Sequence, residues 1–243
     1  MSIQEMIRKN REKKRLEKLP GNGIEYDFEY LAVQEYSPFR DRKICVLGSS
    51  VAYGACSQQT AVAEFFARRF RCDFVKEAVS GTTLVDNGPD SYVERLVKNV
   101  DIREEFALFI CQLSTNDATK KLPLGEISAS EELLSFNTAT ITGAIEYIIA
   151  YVKEKWHCPV VFFTGSHYES AEYAAMVARL KELQGKWDIG ILNLYEDEMF
   201  NTISDEKRTL YMNDPIHPTK AGYRDWWCPE MERQLLAYLN RNS

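Results

Sequence analysis

The chain has 243 residues, 45% hydrophobic and 12% aromatic, which suits one sizeable globular domain and excludes a disordered or fibrous chain. Its 36 acidic residues outweigh 30 basic ones, and a net charge of -6 argues against a general nucleic-acid binder, whose surface must neutralise phosphates. No apolar run approaches the roughly 18 residues that span a bilayer, and the charged N-terminus lacks the apolar stretch of a secretory signal.

In chain order, residues 1–18 carry Arg8, Lys9, Arg11, Lys13, Lys14, Arg15 and Lys18 against Glu5, Glu12 and Glu17. They predict a solvated helix ended by Pro20-Gly21, a charged face or docking arm. Residues 24–40 hold Tyr26, Phe28, Tyr30, Leu31, Val33, Tyr36 and Phe39, an ordered segment that packs on the domain or on a second copy of the chain. Residues 1–40 are therefore an extension, and 41–243 the main domain.

From Asp41 a rhythm sets in. Apolar runs at 43–48, 73–79, 106–113, 159–164 and 190–195 are rich in Val, Ile and Phe without clean alternation, as strands buried on both faces are. Between them, Val62, Phe65, Phe66 and Phe70 share a helical face. So do Ile141, Ile145, Ile148 and Val152, and later Met176, Leu180 and Leu183. A last helix beyond Pro229 places Met231, Leu235 and Leu239 together. Alternating strands and helices predict a three-layer α/β/α sandwich around a parallel five-stranded sheet. The six cysteines (45, 56, 72, 111, 158 and 228) form no Cys-x-x-Cys pair, so the expectation is no zinc or iron–sulfur site and reduced thiols in a cytoplasmic protein.

Open parallel sheets bind ligands beyond the carboxyl ends of their strands. Ser50, in Gly48-Ser49-Ser50-Val51-Ala52-Tyr53-Gly54, follows the first strand and precedes an amphipathic helix whose dipole would favour negative charge. Ser80-Gly81-Thr82-Thr83 follows the second, and Ser114-Thr115-Asn116-Asp117 the third. A nucleophilic serine needs an imidazole base and a partner to hold its tautomer. Of the three histidines, His157 lies at the wrong edge of the sheet, where a helix ends. His167 follows the fourth strand on the correct edge, without an obvious acidic partner. His217 has Asp214 one turn away. Each motif alone reads better as turn or cap chemistry. Together, in order and on one edge, they point to a serine esterase.

These residues resemble the SGNH (GDSL-type) hydrolases over about residues 41–240. The first block is similar to Gly48-Ser49-Ser50-Val51-Ala52-Tyr53-Gly54, the second to the stretch around Gly81, the third to Ser114-Thr115-Asn116-Asp117. The last block matches Asp214, His217 and Pro218. Ser49 and Ser114 depart from the family's aspartate and glycine. The resemblance implies a flavodoxin-like sheet and ester hydrolysis without metal or organic cofactor. It implies Ser50 as nucleophile, His217 as base and Asp214 as its orienting acid. The oxyanion hole would be the Ser50 and Gly81 amides with the Asn116 side chain.

Ser49, Asp117 and His167 are further candidates for a substrate pocket. Lys120 and Lys121 could meet an anionic or sugar-bearing substrate but read better as solvated, and Trp226 and Trp227 read better as core. The expected substrate is a small-molecule ester, a short acyl group on a carbohydrate or other alcohol, with no nucleic acid or membrane partner. Two alternatives stay open: an acyltransferase or thioesterase on the same scaffold, and a non-catalytic flavodoxin-like binding domain. The second lacks a P-loop ending and a Gly-x-Gly-x-x-Gly fingerprint.

Overall fold

A computed structural model describes residues 3–241. Among them five strands form one all-parallel sheet: β1 (Lys43–Gly48), β2 (Asp73–Ala78), β3 (Leu108–Gln112), β4 (Val160–Phe163) and β5 (Gly190–Leu192). Their order is β2-β1-β3-β4-β5. The chain steps from β1 outward to β2, then returns past β1 to β3, which leaves a switch point between β1 and β3 at the carboxyl edge.

Both faces of the sheet are covered. Cys45, Leu47, Phe109, Cys111, Val160 and Phe162 pack into one apolar layer, while their neighbours Ile44, Val46, Leu108, Ile110, Val161 and Phe163 pack into the other. Successive side chains of a strand point to opposite faces, so burial on both sides removes the polar alternation from the sequence.

The helices are α1 (Ile3–Glu17), α2 (Ser50–Tyr53), α3 (Val62–Phe70), α4 (Tyr92–Asn99), α5 (Thr115–Thr119) and α6 (Ile141–Trp156), followed by α7 (Ala171–Trp187), α8 (Glu198–Asn201), α9 (Asp205–Tyr211), α10 (Lys220–Gly222) and α11 (Cys228–Arg241). A π-helical turn, Tyr223–Trp227, leads into α11. The apolar faces of α4, α6 and α7 fill the first layer; those of α3 and α11 fill the second. Trp226 and Trp227 are buried in that second layer, as expected of core. No helix among the described residues is long and apolar enough to cross a membrane.

Three local expectations change. β2 is an edge strand, and its charged Asp73, Lys76 and Glu77 with the 39%-exposed Phe74 show that it is not buried on both faces. β5 stops at Leu192 because the Thr164 hydroxyl accepts the amides of Leu194 (2.9 Å) and Tyr195 (3.0 Å), turning the chain off the sheet. The helix beginning at Ser50 lasts only one turn, since Gly54 at φ +78° closes it in the left-handed conformation, and the amphipathic α3 starts at Val62. One turn of backbone carries little macrodipole, so the helix dipole expected at Ser50 shrinks to a few local amides.

Residues 24–40 lie against their own domain. Phe28 meets Phe65 edge-on at 5.8 Å and Phe39 meets Phe70 at 5.3 Å, extending the second apolar layer.

Candidate active site

Ser50 opens α2 directly beyond β1 and is 8% exposed. Its turn is held from below by Gln112, the last residue of β3. The Gln112 Oε1 accepts the amides of Ser49 (3.0 Å) and Ala52 (2.9 Å), and its Nε2 donates to Ser49 Oγ (3.0 Å). These bonds satisfy buried groups that the short helix cannot pair by itself. Arg95 of α4, 2% exposed, adds a second clamp. Its guanidinium donates to the Gly48 carbonyl (2.8 Å), the Thr82 hydroxyl (3.1 Å), the Glu77 carboxylate (2.9 Å) and the carbonyls of Glu77 (3.0 Å) and Asp90 (2.9 Å). The stretch before Ser50 and the stretch after Gly81 are thus fastened to one buried cation.

The second half of the site is the loop 212–219. Met212 pairs with Pro218 across it, and the Asn213 amide donates to the His217 carbonyl at 2.9 Å. Inside the loop, Asp214 Oδ1 accepts the amides of Ile216 and His217, each at 2.9 Å. This side-chain turn explains the Asp-x-x-His spacing: the carboxylate that folds the loop also faces the ring that the loop carries. His217 Nδ1 lies 2.9 Å from both Asp214 oxygens, and its Nε2 lies 2.8 Å from Ser50 Oγ. Burial alone would push the Asp214 carboxyl up, but the bonds from the His217 ring and the two amides outweigh it and hold it below the usual carboxylate range.

The ends of β2 and β3 converge on the same edge. Gly81 has φ +84°, and an added Cβ there would touch nothing within 4 Å; the conformation, not crowding, calls for glycine. Asn116 Nδ2 donates to the Thr82 carbonyl at 2.8 Å, tying the α5 turn to the Gly81 loop. Ser114, where the family has glycine, caps α5 by accepting the Asn116 amide at 3.2 Å.

Two expected pocket residues are not pocket residues. Ser49 is fully buried beneath the turn with its hydroxyl on Gln112. Asp117 is fully buried too, accepting the amides of Leu84 (2.8 Å) and Val85 (3.0 Å), so it braces the Gly81 loop. Burial pushes its carboxyl up despite those bonds. His167 does lie beyond β4 at the carboxyl edge, with its ring tilted on Tyr195 (4.8 Å) and 3.4 Å from the exposed Glu169. His157 caps α6 in the left-handed conformation at φ 51°, at the opposite end of the sheet. Lys120 reaches the Gly81 carbonyl at 3.3 Å, and Lys121 pairs with Glu172.

The N-terminal segment is part of this neighbourhood, which the sequence did not reveal. Arg15 of α1 donates to Asn213 Oδ1 (2.8 Å), and Asn213 Nδ2 donates to Asp214 Oδ2 (2.8 Å). Asn22, 3% exposed, accepts the Lys220 amide and donates to the carbonyls of Cys56 and Leu16, all at 2.9 Å. Lys220 in turn pairs with Asp27. Between α1 and the strand-end loops lies a cleft of about 1560 Å³, with Ile7, Arg11 and Arg15 on one wall and Tyr53, Gln58 and Ser80 on the other. A niche of about 10 Å³ sits under the site, lined by Val51, Gln112, Ser166, Tyr168 and Ile216 among others. The Cys56 thiol is raised to about 11 by burial, reinforced by Asp214, so it is protonated at neutral pH.

Arg95, Gln112, Asn22 and Asn213 escaped the sequence reading. Only Gln112 left a trace there, as a polar residue closing an apolar strand. The others sit in unremarkable helical or loop contexts.

Residues 46–224 match the family model of the GDSL-like lipase/acylhydrolases. Among solved structures, a protein from Lactobacillus plantarum is similar at a TM-score of 0.63 and 19% identity, covering 86% of this chain and 100% of its own. A G-D-S-L family protein from Desulfitobacterium hafniense has a TM-score of 0.60 and 14% identity, over 79% of this chain and 98% of that one. A family two carbohydrate esterase from Clostridium thermocellum, solved with cellohexaose, has a TM-score of 0.57 and 16% identity, over 87% of this chain and 66% of that one. No protein of curated function matches the chain. The matched span holds Ser50, Gly81, Asn116, Asp214 and His217 on one sheet edge, and the chain belongs to the GDSL-like lipase/acylhydrolase family of SGNH hydrolases.

Proposed function

We propose that the protein is a serine esterase that removes a small, acetyl-like acyl group from a carbohydrate or other alcohol through an acyl-enzyme on Ser50. The carrying observation is the continuous hydrogen-bonded line from Ser50 Oγ to His217 Nε2 (2.8 Å) and from His217 Nδ1 to Asp214 (2.9 Å). With Nδ1–H donated to the carboxylate, Nε2 presents a lone pair to the serine hydroxyl. His217 takes the Ser50 proton as Oγ attacks the ester carbonyl, then returns it to the departing alcohol. A water repeats the attack, its proton again passing to His217, and frees the acid.

The oxyanion would be held by the amides of Ser50 and Gly81 and by Asn116 Nδ2. One hydrogen of that carboxamide is committed to the Thr82 carbonyl, which orients the other. Val51 and Ile216, the neighbours of Ser50 and His217, line the small niche, whose about 10 Å³ suits a group on the order of one water or methyl. That room supports a short acyl group. The wide cleft beside α1 supports a bulky alcohol, and the likeness to a carbohydrate esterase supports a sugar.

Hydrolysis of p-nitrophenyl esters graded from acetate to long acyl chains, followed by acetylated glycans, tests this. Acetate should turn over fastest, and Ser50→Ala should lose about 10⁴-fold or more of kcat. Equal turnover by Ser50→Ala would sink the assignment. A preference for long chains would leave the triad standing and remove the acetyl-like substrate.

A further inference from the structure

Cys56 lies in the loop between α2 and α3, far in sequence from the acid–base pair, yet the fold brings them together. Its Sγ, an Asp214 carboxylate oxygen and a His217 ring nitrogen all lie within 4.8 Å of one another, and each of the three residues is partly exposed. It is the only such trio of Cys, His, Asp or Glu among the described residues. Thiolate, imidazole and carboxylate are the donor types that zinc takes, at about 2.3 Å to sulfur and about 2.0–2.2 Å to nitrogen and oxygen. Around a tetrahedral ion, donors at those lengths stand about 3.3–3.7 Å apart, so the widest of the three spacings must close by up to about 1 Å, and where Nδ1 is the ligand its 2.9 Å contact with Asp214 must open slightly. The backbone of Cys56 is already pinned, its carbonyl accepting Asn22 Nδ2 at 2.9 Å.

We propose that Cys56, Asp214 and His217 form an inhibitory site for a thiophilic divalent cation, zinc above all. The thiol gives its proton to solvent, and the thiolate and carboxylate together balance the two charges of the ion. Arg15 stands nearby, but its charge is paired with Glu12 at 2.7 Å. The imidazole binds through a nitrogen lone pair. If that nitrogen is Nδ1, the ring proton moves to Nε2, which then faces Ser50 as a donor and cannot accept the serine proton. If it is Nε2, the ion itself separates ring from hydroxyl. Either way the base is lost and returns when the ion leaves. Magnesium and calcium should not compete, because hard cations need a set of oxygen ligands and one carboxylate is present. The inhibition rests on the triad reading given above; the binding does not.

The experiment uses the full-length protein stripped of metal, with two separate readouts. Zinc binding is read without turnover, by competition with a chromophoric chelator, and activity is read on p-nitrophenyl acetate. Wild type should bind one zinc per chain, lose activity in step with occupancy and recover with EDTA, while magnesium does nothing. Cys56→Ala should keep its metal-free activity and bind zinc at least about 10–100-fold more weakly, the loss that removing even an outer partner of a ligand brings. Cys56→Ser, closer in size, serves where the alanine variant melts early, and Asp214→Asn should also weaken binding. Unchanged zinc affinity in the Cys56 variants, no stoichiometric binding by wild type, or full activity with the site occupied would each overturn the proposal. If the metal-free protein hydrolyses no ester at all, the esterase reading fails while the chelator competition still decides the metal site.

Discussion

The two halves that meet at the 2.8 Å contact between Ser50 and His217 are held in opposite ways. The serine turn rises from the middle of the sheet, and its neighbours Ser49, Arg95 and Gln112 are all no more than 2% exposed. Its hydrogen bonds are dry and its partners sit on β3 and α4. The acid–base loop sits at the surface, with 37% of the Asp214 side chain and 24% of the His217 side chain exposed. Its outer tie runs to Arg15, and Lys220, the residue that follows the loop, is held by Asn22 and Asp27; all three lie before the matched residues 46–224. Ser50 is therefore positioned by the family fold, and His217 by a fold-internal turn steadied from the N-terminal segment. Damage to the first should cost the most folding stability; damage to the second should cost less stability and lower turnover as well.

The largest expected effect lies on the buried side. Arg95→Leu strands the Glu77 carboxylate, the Gly48 carbonyl and the Thr82 hydroxyl, and should destabilise the protein by about 3–5 kcal/mol in urea unfolding. A variant that melts like wild type would show that the cation is not what holds the turn. Next comes Asn116→Ala, which should lower kcat by about 10²–10³, or about 2.7–4 kcal/mol of barrier, with thermal unfolding close to wild type. Normal kcat would remove Asn116 from the oxyanion hole.

On the loop side, Asn22→Ala leaves the Lys220 amide and two carbonyls without their partner. A loss of about 1–3 kcal/mol is expected, with kcat reduced in the folded population. A stability loss with kcat intact would mean that the N-terminal segment steadies the fold but not the base. The smallest effect belongs to Arg15→Ala. Its side chain is half exposed, so less than about 1 kcal/mol of stability and a few-fold of kcat are at stake. A drop in kcat as deep as that of Asn116→Ala would break the comparison, because the surface tie would then matter as much as a reacting-group contact.

The serine turn and the Asp-x-x-His loop were legible in the sequence because each is a local structure. The carboxylate folds its own loop within four residues, and the serine follows directly on an apolar strand. Ser49 and Asp117 misled for the same reason: a hydroxyl and a carboxylate at a strand end carry no mark of which way they face. Gln112 claims the first and the amides of Leu84 and Val85 claim the second, turning both inward as braces. The helix predicted after Ser50 was cut to one turn by Gly54, a stop signal that stands in the sequence beside the motif it ends.

Chemistry readable along the chain was thus settled by sequence: a buried parallel sheet from its unalternating apolar runs, a hydroxyl at one strand end, an acid and an imidazole on one short loop. Which buried cation grips the serine turn, that Arg15, Asn22 and Asp27 steady the segment carrying Asp214 and His217, and that a lone thiol stands beside that pair were decided only by the tertiary structure. Those contacts join residues tens to hundreds of positions apart, and nothing in local propensity or spacing records a distance that only the packed sheet creates.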